Sequence, residues 1–190
     1  MGKPQTIDWY EGCKLETISF GHGITTTILQ LAKGYSIIVN GGYDIKPTLI
    51  KKHLDKKYKE KKILKNDVSK KMNLILRKVV LEGTAKQVNV KGYQVGGKTG
   101  TAQQPRDKKY SNIKINTIAS IFPAENPEYV LVVMLESPKT SEEYVYKYRH
   151  KEGSYTGSPF NTAGWTSVEA AGQIIEKIGP ILATKYMEVD

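Results

Sequence analysis

Cysteine and histidine are scarce: Cys13 stands alone, and His22, His53 and His150 are scattered along 190 residues. A lone thiol closes no internal disulfide, and no partner sits beside it at metal-ligand spacing, so Cys13 reads as an inert or partly buried thiol and the chain calls for no metal or other cofactor. Long apolar runs are lacking as well. The longest, Tyr129 to Leu135, falls far short of the ~20 residues that cross a bilayer, and the first thirty residues hold no apolar signal core. As it stands, the chain is expected neither to span a membrane nor to be exported. Arginine is missing where positive charge is densest. Residues 51–71 carry ten lysines against Asp55, Glu60 and Asp67, which places +7 of the total +10 in one segment. Without arginine's bidentate fork, and with Tyr58 the only aromatic in the run, the groups that usually recognise phosphates and bases are absent. That argues against a nucleic-acid partner and for a lysine-rich surface segment, with anionic lipid or an acidic protein as the other partners it would suit.

What remains is ordinary for one globular domain: 39% hydrophobic and 25% charged residues over 1–190. Residues 1–18 show no sustained periodicity and read as an irregular lead-in. Thr25 to Asn40 places Ile28, Leu31, Ala32, Tyr35 and Ile38 on one helical face, with Thr25 as the N-cap and Asn40, Gly41 and Gly42 as the stop. Pro47 and the lysine run follow as a surface connection, with a short strand around Thr48 to Lys51. A second helix is expected from Asp67 to Leu81, aligning Val68, Met72, Ile75, Leu76 and Val79 and ended by Gly83.

The period then changes. Val90 to Gln103, Ile115 to Phe122 and Tyr129 to Glu136 read as strands, the last two forming an antiparallel hairpin across the Pro123 to Pro127 turn. Because Tyr129 to Leu135 is apolar at nearly every position, that strand should be covered on both faces by helices. A polar loop from Ser137 to Gly157 leads to a terminal helix, Ser167 to Thr184, with Val168, Ala171, Gly172, Ile175, Ile178 and Leu182 on one face. The order predicts an α+β fold: an antiparallel sheet flanked by helices.

Chemistry concentrates in Lys98, Thr99, Gly100, Thr101 and Ala102, which read K-T-G-T-A. K-T-G is a signature element of serine β-lactamases and penicillin-binding proteins, but three residues alone recur by chance in unrelated strands. The residue types suit one task. An ammonium and two hydroxyls can hold a terminal carboxylate, and a glycine without Cβ lets a peptide-like substrate lie along the strand edge.

The resemblance becomes specific over four blocks in order: SFGHGITTTILQLAKGYSIIVNGG (residues 19–42), VKGYQVGGKTGTAQQ (90–104), IASIFPAENPEYVLVVMLESP (118–138) and GWTSVEAAGQIIEKIGPIL (164–182). Together they resemble the C-terminal half of the transpeptidase domain of class B penicillin-binding proteins, the peptidoglycan D,D-transpeptidases, and the cell-division (septal) enzymes in particular. The resemblance implies a partial serine β-lactamase-like fold, with Lys98 as the third-motif lysine and Gly100 as spacer. Thr99 and Thr101 would contact the carboxylate of a stem peptide or β-lactam, and the Thr101 N–H would join an oxyanion hole. It also implies a parent enzyme anchored in the inner membrane, with this domain in the periplasm and other cell-wall synthesis proteins as partners.

The family's nucleophile pattern, S-x-x-K at a helix start, and its S-x-N belong upstream of residue 19. Residues 1–18 contain no serine, and S-x-N occurs nowhere. The one S-x-x-K, Ser111 to Lys114, follows the KTGT strand in a polar connection and reads as coincidence. The loop Tyr155 to Pro159 also departs from the tighter tyrosine-glycine-glycine turn of many relatives. The chain therefore reads as a fragment that supplies the carboxylate-binding wall and is inactive alone. A noncatalytic binding module and a D,D-carboxypeptidase or β-lactamase fragment are the alternatives.

Overall fold

The computed structural model describes residues 14–19, 21, 24, 26–50, 61–106, 109–158 and 160–187. Helix α1 (Lys14–Ser19) forms at the end of the stretch 1–18 expected to be irregular; residues 1–13, Cys13 included, lie outside the described residues. Helix α2 (Ile28–Val39) begins later than expected, because Thr27 is the N-cap: its hydroxyl accepts from the Gln30 N–H while the Gln30 side chain accepts from the Thr27 N–H. This reciprocal capping box satisfies two backbone donors that the first helical turn leaves open. Asn40 and the positive φ of Gly41 and Gly42 end the helix as expected. Among the described residues no strand forms over 48–50, and a bridge joins Tyr43 to Lys62; Lys51 and the lysine-rich stretch through residue 60 lie outside the described residues.

Helix α3 (Asn66–Leu81) has the expected span but a different buried face. Ser69, Asn73, Leu76 and Val80 are buried, whereas Val68 and Ile75 are exposed. Two polar groups explain the rotation. The Ser69 hydroxyl accepts from the Gly41 N–H at 2.9 Å, and the Asn73 amide donates to the Val39 carbonyl at 3.4 Å. Both satisfy backbone groups at the end of α2, which buried leucines in the same positions could not.

Strand β1 (Gly96–Arg106) starts after, not at, Val90, since Gly92 and Gln94 take positive φ in the turn before it. Strands β2 (Lys109–Phe122) and β3 (Tyr129–Glu136) form the expected hairpin across the Pro123 turn, and the sheet order is β1-β2-β3, all antiparallel. Alternation of side chains along these strands splits the core in two. Ile118 and Phe122 of β2 pack with Val80 of α3 and with Val168, Ala171 and Ile175 of α4 (Ser167–Met187). Ile121 on the other face packs with Val39 of α2, Leu76 of α3 and Val130 of β3. Both faces of the hairpin are thus covered, as its continuous apolar run requires.

Within the polar loop after β3, a second two-stranded sheet forms, β4 (Val145–Lys147) with β5 (Ser154–Thr156). Strands of three residues lie below the length at which periodicity is readable, so the sequence gives no warning of them. Tyr146 anchors this hairpin. Its buried ring meets Trp165 and Tyr144 edge to face, with centroids 5.5 and 4.5 Å apart.

Candidate active site

The KTGT residues lie on β1, the edge strand of the three-stranded sheet, whose far edge pairs with no other strand among the described residues. Register against β2 sets Lys98 opposite Ala119, Thr99 opposite Ile118, Gly100 opposite Thr117 and Thr101 opposite Asn116. Side chains alternate along a strand, so Thr99 and Thr101 share one face while Lys98 and Gly100 take the other. The exposed Lys98 ammonium donates to the Thr99 carbonyl at 2.7 Å.

Thr99 and Thr101 line a cleft of about 450 Å³ together with Thr84, Lys86, His150, Ala163 and Trp165. Lys98 is not among the residues that line it. The two hydroxyls are held by their neighbours. Thr84 and Thr99 share a hydrogen bond of 2.8 Å, and the Ala163 N–H donates to the Thr101 Oγ1 at 3.0 Å. Because Thr101 accepts there, its own proton stays available to a ligand.

Asn116 fixes that donor. Fully buried opposite Thr101, it donates to Asn161 Oδ1 and Thr166 Oγ1, each at 2.8 Å, and Asn161 in turn donates to the Pro138 carbonyl. These bonds seat residues 161–166 against β1. Neither Asn116 nor Thr84 was suggested by the sequence motif, since each acts through a neighbour that only the fold supplies.

The opposite wall comes from the segment after β4. Tyr148 and His150 both line the cleft, their rings 5.4 Å apart. Burial, with the ammonium groups of Lys151 and Lys86 nearby, lowers His150 below the usual imidazole value. Between them, Arg149 turns inward: its guanidinium donates to both Glu176 oxygens, to Glu169 and to the Gln87 carbonyl, with the Arg149 and Glu169 side chains each 10% exposed. Burial alone would lower Arg149; the carboxylates of Glu176 and Glu169 more than offset it, and the guanidinium ends above its ordinary value. Gln87 completes the clasp by donating to the Lys147 carbonyl and accepting from the Arg149 N–H. The wall is therefore bolted to α4 and to the 3-10 turn Lys86–Val88.

Among the described residues, no group of three or more His, Cys, Asp and Glu side chains could hold a metal ion, and no helix is long and apolar enough to cross a membrane. Ser111 to Lys114 lies within β2. An extended segment does not offer the helical turn that brings positions i and i+3 together.

A model of the penicillin binding protein transpeptidase domain matches residues 2–159. The chain belongs to this family. Among curated relatives it is similar to a probable peptidoglycan D,D-transpeptidase FtsI of Caulobacter vibrioides, 29% identical over 96% of this chain and 31% of the relative. It is also 34% identical to the stage V sporulation protein D of Bacillus subtilis, over 67% of this chain and 22% of that protein. The chain thus spans less than a third of each of these relatives. The transpeptidase domain of Burkholderia pseudomallei penicillin-binding protein 3, in its apo form, superposes with a TM-score of 0.75 at 21% identity, covering 98% of this chain and 50% of that one. Penicillin-binding protein 3 of Mycobacterium tuberculosis gives 0.70 at 25% identity, over 92% of this chain and 40% of that chain. These likenesses fix the β-lactamase-like arrangement of helices and antiparallel sheet.

Proposed function

We propose that the chain supplies the substrate-strand half of a peptidoglycan D,D-transpeptidase of the cell-division type, in which β1 receives the C-terminal end of a stem peptide or a β-lactam. Thr99 and Thr101 donate to its carboxylate, the Thr101 N–H contributes to an oxyanion hole, and Gly100 leaves room for the ligand backbone. Lys98, on the other face of the strand, serves the serine nucleophile and its proton network, which the resemblance places outside these residues. The whole enzyme would cross-link stem peptides through an acyl-serine intermediate, with its domain in the periplasm behind an inner-membrane anchor, alongside other cell-wall synthesis proteins. This half alone would be inactive.

The observation that carries the reading is the pair of threonine hydroxyls, fixed by neighbours and facing one cleft at the edge strand of the sheet. Gly100 adds to it. A Cβ at that position would meet nothing closer than the Thr117 Cβ at 4.0 Å, so the space is open and the fold itself has no use for the missing side chain.

Two measurements on the 190-residue chain test this. Fluorescent penicillin should leave no covalent adduct; stable labelling, at Ser111 above all, would overturn the account of the nucleophile. In amide NMR titrations, N-acetyl-D-alanyl-D-alanine should perturb residues 98–101 and the 161–166 segment. Thr99→Val with Thr101→Val should weaken binding by about a hundredfold or more, since each of the two lost hydrogen bonds to a charged group costs about 1.5–3 kcal/mol. Unchanged affinity in the double variant would refute the carboxylate assignment.

A further inference from the structure

Carboxylate binding needs charge as well as hydrogen bonds, and the lysine of the motif does not line the cleft that its threonines face. We infer that His150 and Lys86 form the cationic arm of this cleft and determine its preference for carboxylate ligands. This rests on the reading of the cleft as a carboxylate site and adds residues that the KTGT motif does not contain.

The charges around the cleft divide cleanly. Arg149, between the cleft-lining Tyr148 and His150, is spent on Glu169 and Glu176. Among the described residues no ion pair involves Lys86, His150 or Lys151. Lys86 comes from the 3-10 turn after α3, and His150 from the segment between β4 and β5, so two separate elements bring positive groups to one opening. Nothing in the lining carries a carboxylate. Lys151 lies over the Tyr148 ring at 4.3 Å, which ties its ammonium to the same wall. The carboxylates that α4 turns toward this region, Glu169 and Glu176, are taken by Arg149.

Such a cluster repels itself. Burial, with the ammonium groups of Lys151 and Lys86 beside it, holds His150 below its usual value, so the empty cleft disfavours the charged imidazole. An arriving carboxylate reverses the balance. It favours the protonated imidazole, raises the His150 pKa in the complex, and draws in a proton on binding. The sign follows: affinity should rise as pH falls from the His150 pKa of the complex toward that of the free chain, and level off at either end.

The experiment follows the His150 imidazole by NMR, assigned through His150→Gln, with and without saturating N-acetyl-D-alanyl-D-alanine. Its neutral C-terminal amide serves as control. Ligand should raise the His150 pKa, and the amide should not. His150→Gln should weaken peptide binding by about two- to fivefold near pH 6, the range of an exposed ion pair, and remove the pH dependence. Lys86→Gln should raise the His150 pKa in the free chain, by removing repulsion, while weakening the peptide by a similar factor. If the peptide binds with the Thr99 and Thr101 dependence described above but neither His150→Gln nor Lys86→Gln alters it, the cationic arm is refuted and the carboxylate site stands. Binding indifferent to Thr99 and Thr101 refutes the carboxylate site itself, and a peptide that does not bind refutes both.

Discussion

Two glycines separate what the fold needs from what a ligand needs. At Gly172 of α4 an added Cβ would lie 2.8 Å from both the Arg149 guanidinium and the Gln87 carbonyl oxygen. The carbonyl is backbone and cannot yield, so the helix can reach the Arg149 clasp only without a side chain here. Gly172→Ala should cost about 1–3 kcal/mol, the usual price of overpacking, read as a lower urea midpoint with an unchanged slope. Gly100→Ala meets no such obstacle. It should leave the urea midpoint unchanged or slightly higher, because glycine weakens a strand interior, yet lower affinity for N-acetyl-D-alanyl-D-alanine. A Gly100→Ala chain that binds the peptide as well as the parent would show that the ligand keeps to the Thr99 and Thr101 face of β1 and does not reach across the strand edge to the side of Gly100 and Thr117.

At the level of elements, legibility followed length and continuity of pattern. The β2–β3 hairpin and α4 stood out because long apolar runs and a sustained 3.6-residue period have few competing explanations. The span of α3 was equally plain, but its buried face was not: Ser69 and Asn73 are core residues because the end of α2 offers them a carbonyl and an N–H, and no local pattern announces such a partner. The same reason hid the inner half of the site. KTGT marked Thr99 and Thr101, whereas Asn116, Thr84 and His150 reach them only through tertiary pairing. Helix α2 shows how a local signal can be read two residues early, since Thr25, Thr26 and Thr27 all suit a cap and only Thr27 has Gln30 three residues on. Thr27→Ala should therefore lower stability by about 1 kcal/mol, and Gln30→Ala added to it should cost less than it does alone, because the two share one motif. Fully additive losses in chemical denaturation would argue against the capping box.

For the molecule as a whole, charge and exposed apolar surface oppose each other. Leu49 and Ile50 stand in solvent before the lysine-rich segment, and Leu74 and Ile75 on α3 are 64% and 53% exposed. Side chains of this size left in water favour association between copies. The net charge of +10 opposes it, most strongly where the field is least screened. Ionic strength should then decide the outcome. At about 0.01 M salt the Debye length is about 30 Å and like-charged chains keep apart; at about 0.15 M it shrinks to about 8 Å, and apolar contact can take over. Sedimentation velocity at one protein concentration should accordingly show a larger weight-average mass at the higher salt, reduced again by Leu74→Gln with Ile75→Gln. A mass that falls as salt is added would mean that attraction between opposite charges drives association, and would assign the contact to the lysine-rich segment and an acidic surface in place of the apolar side chains.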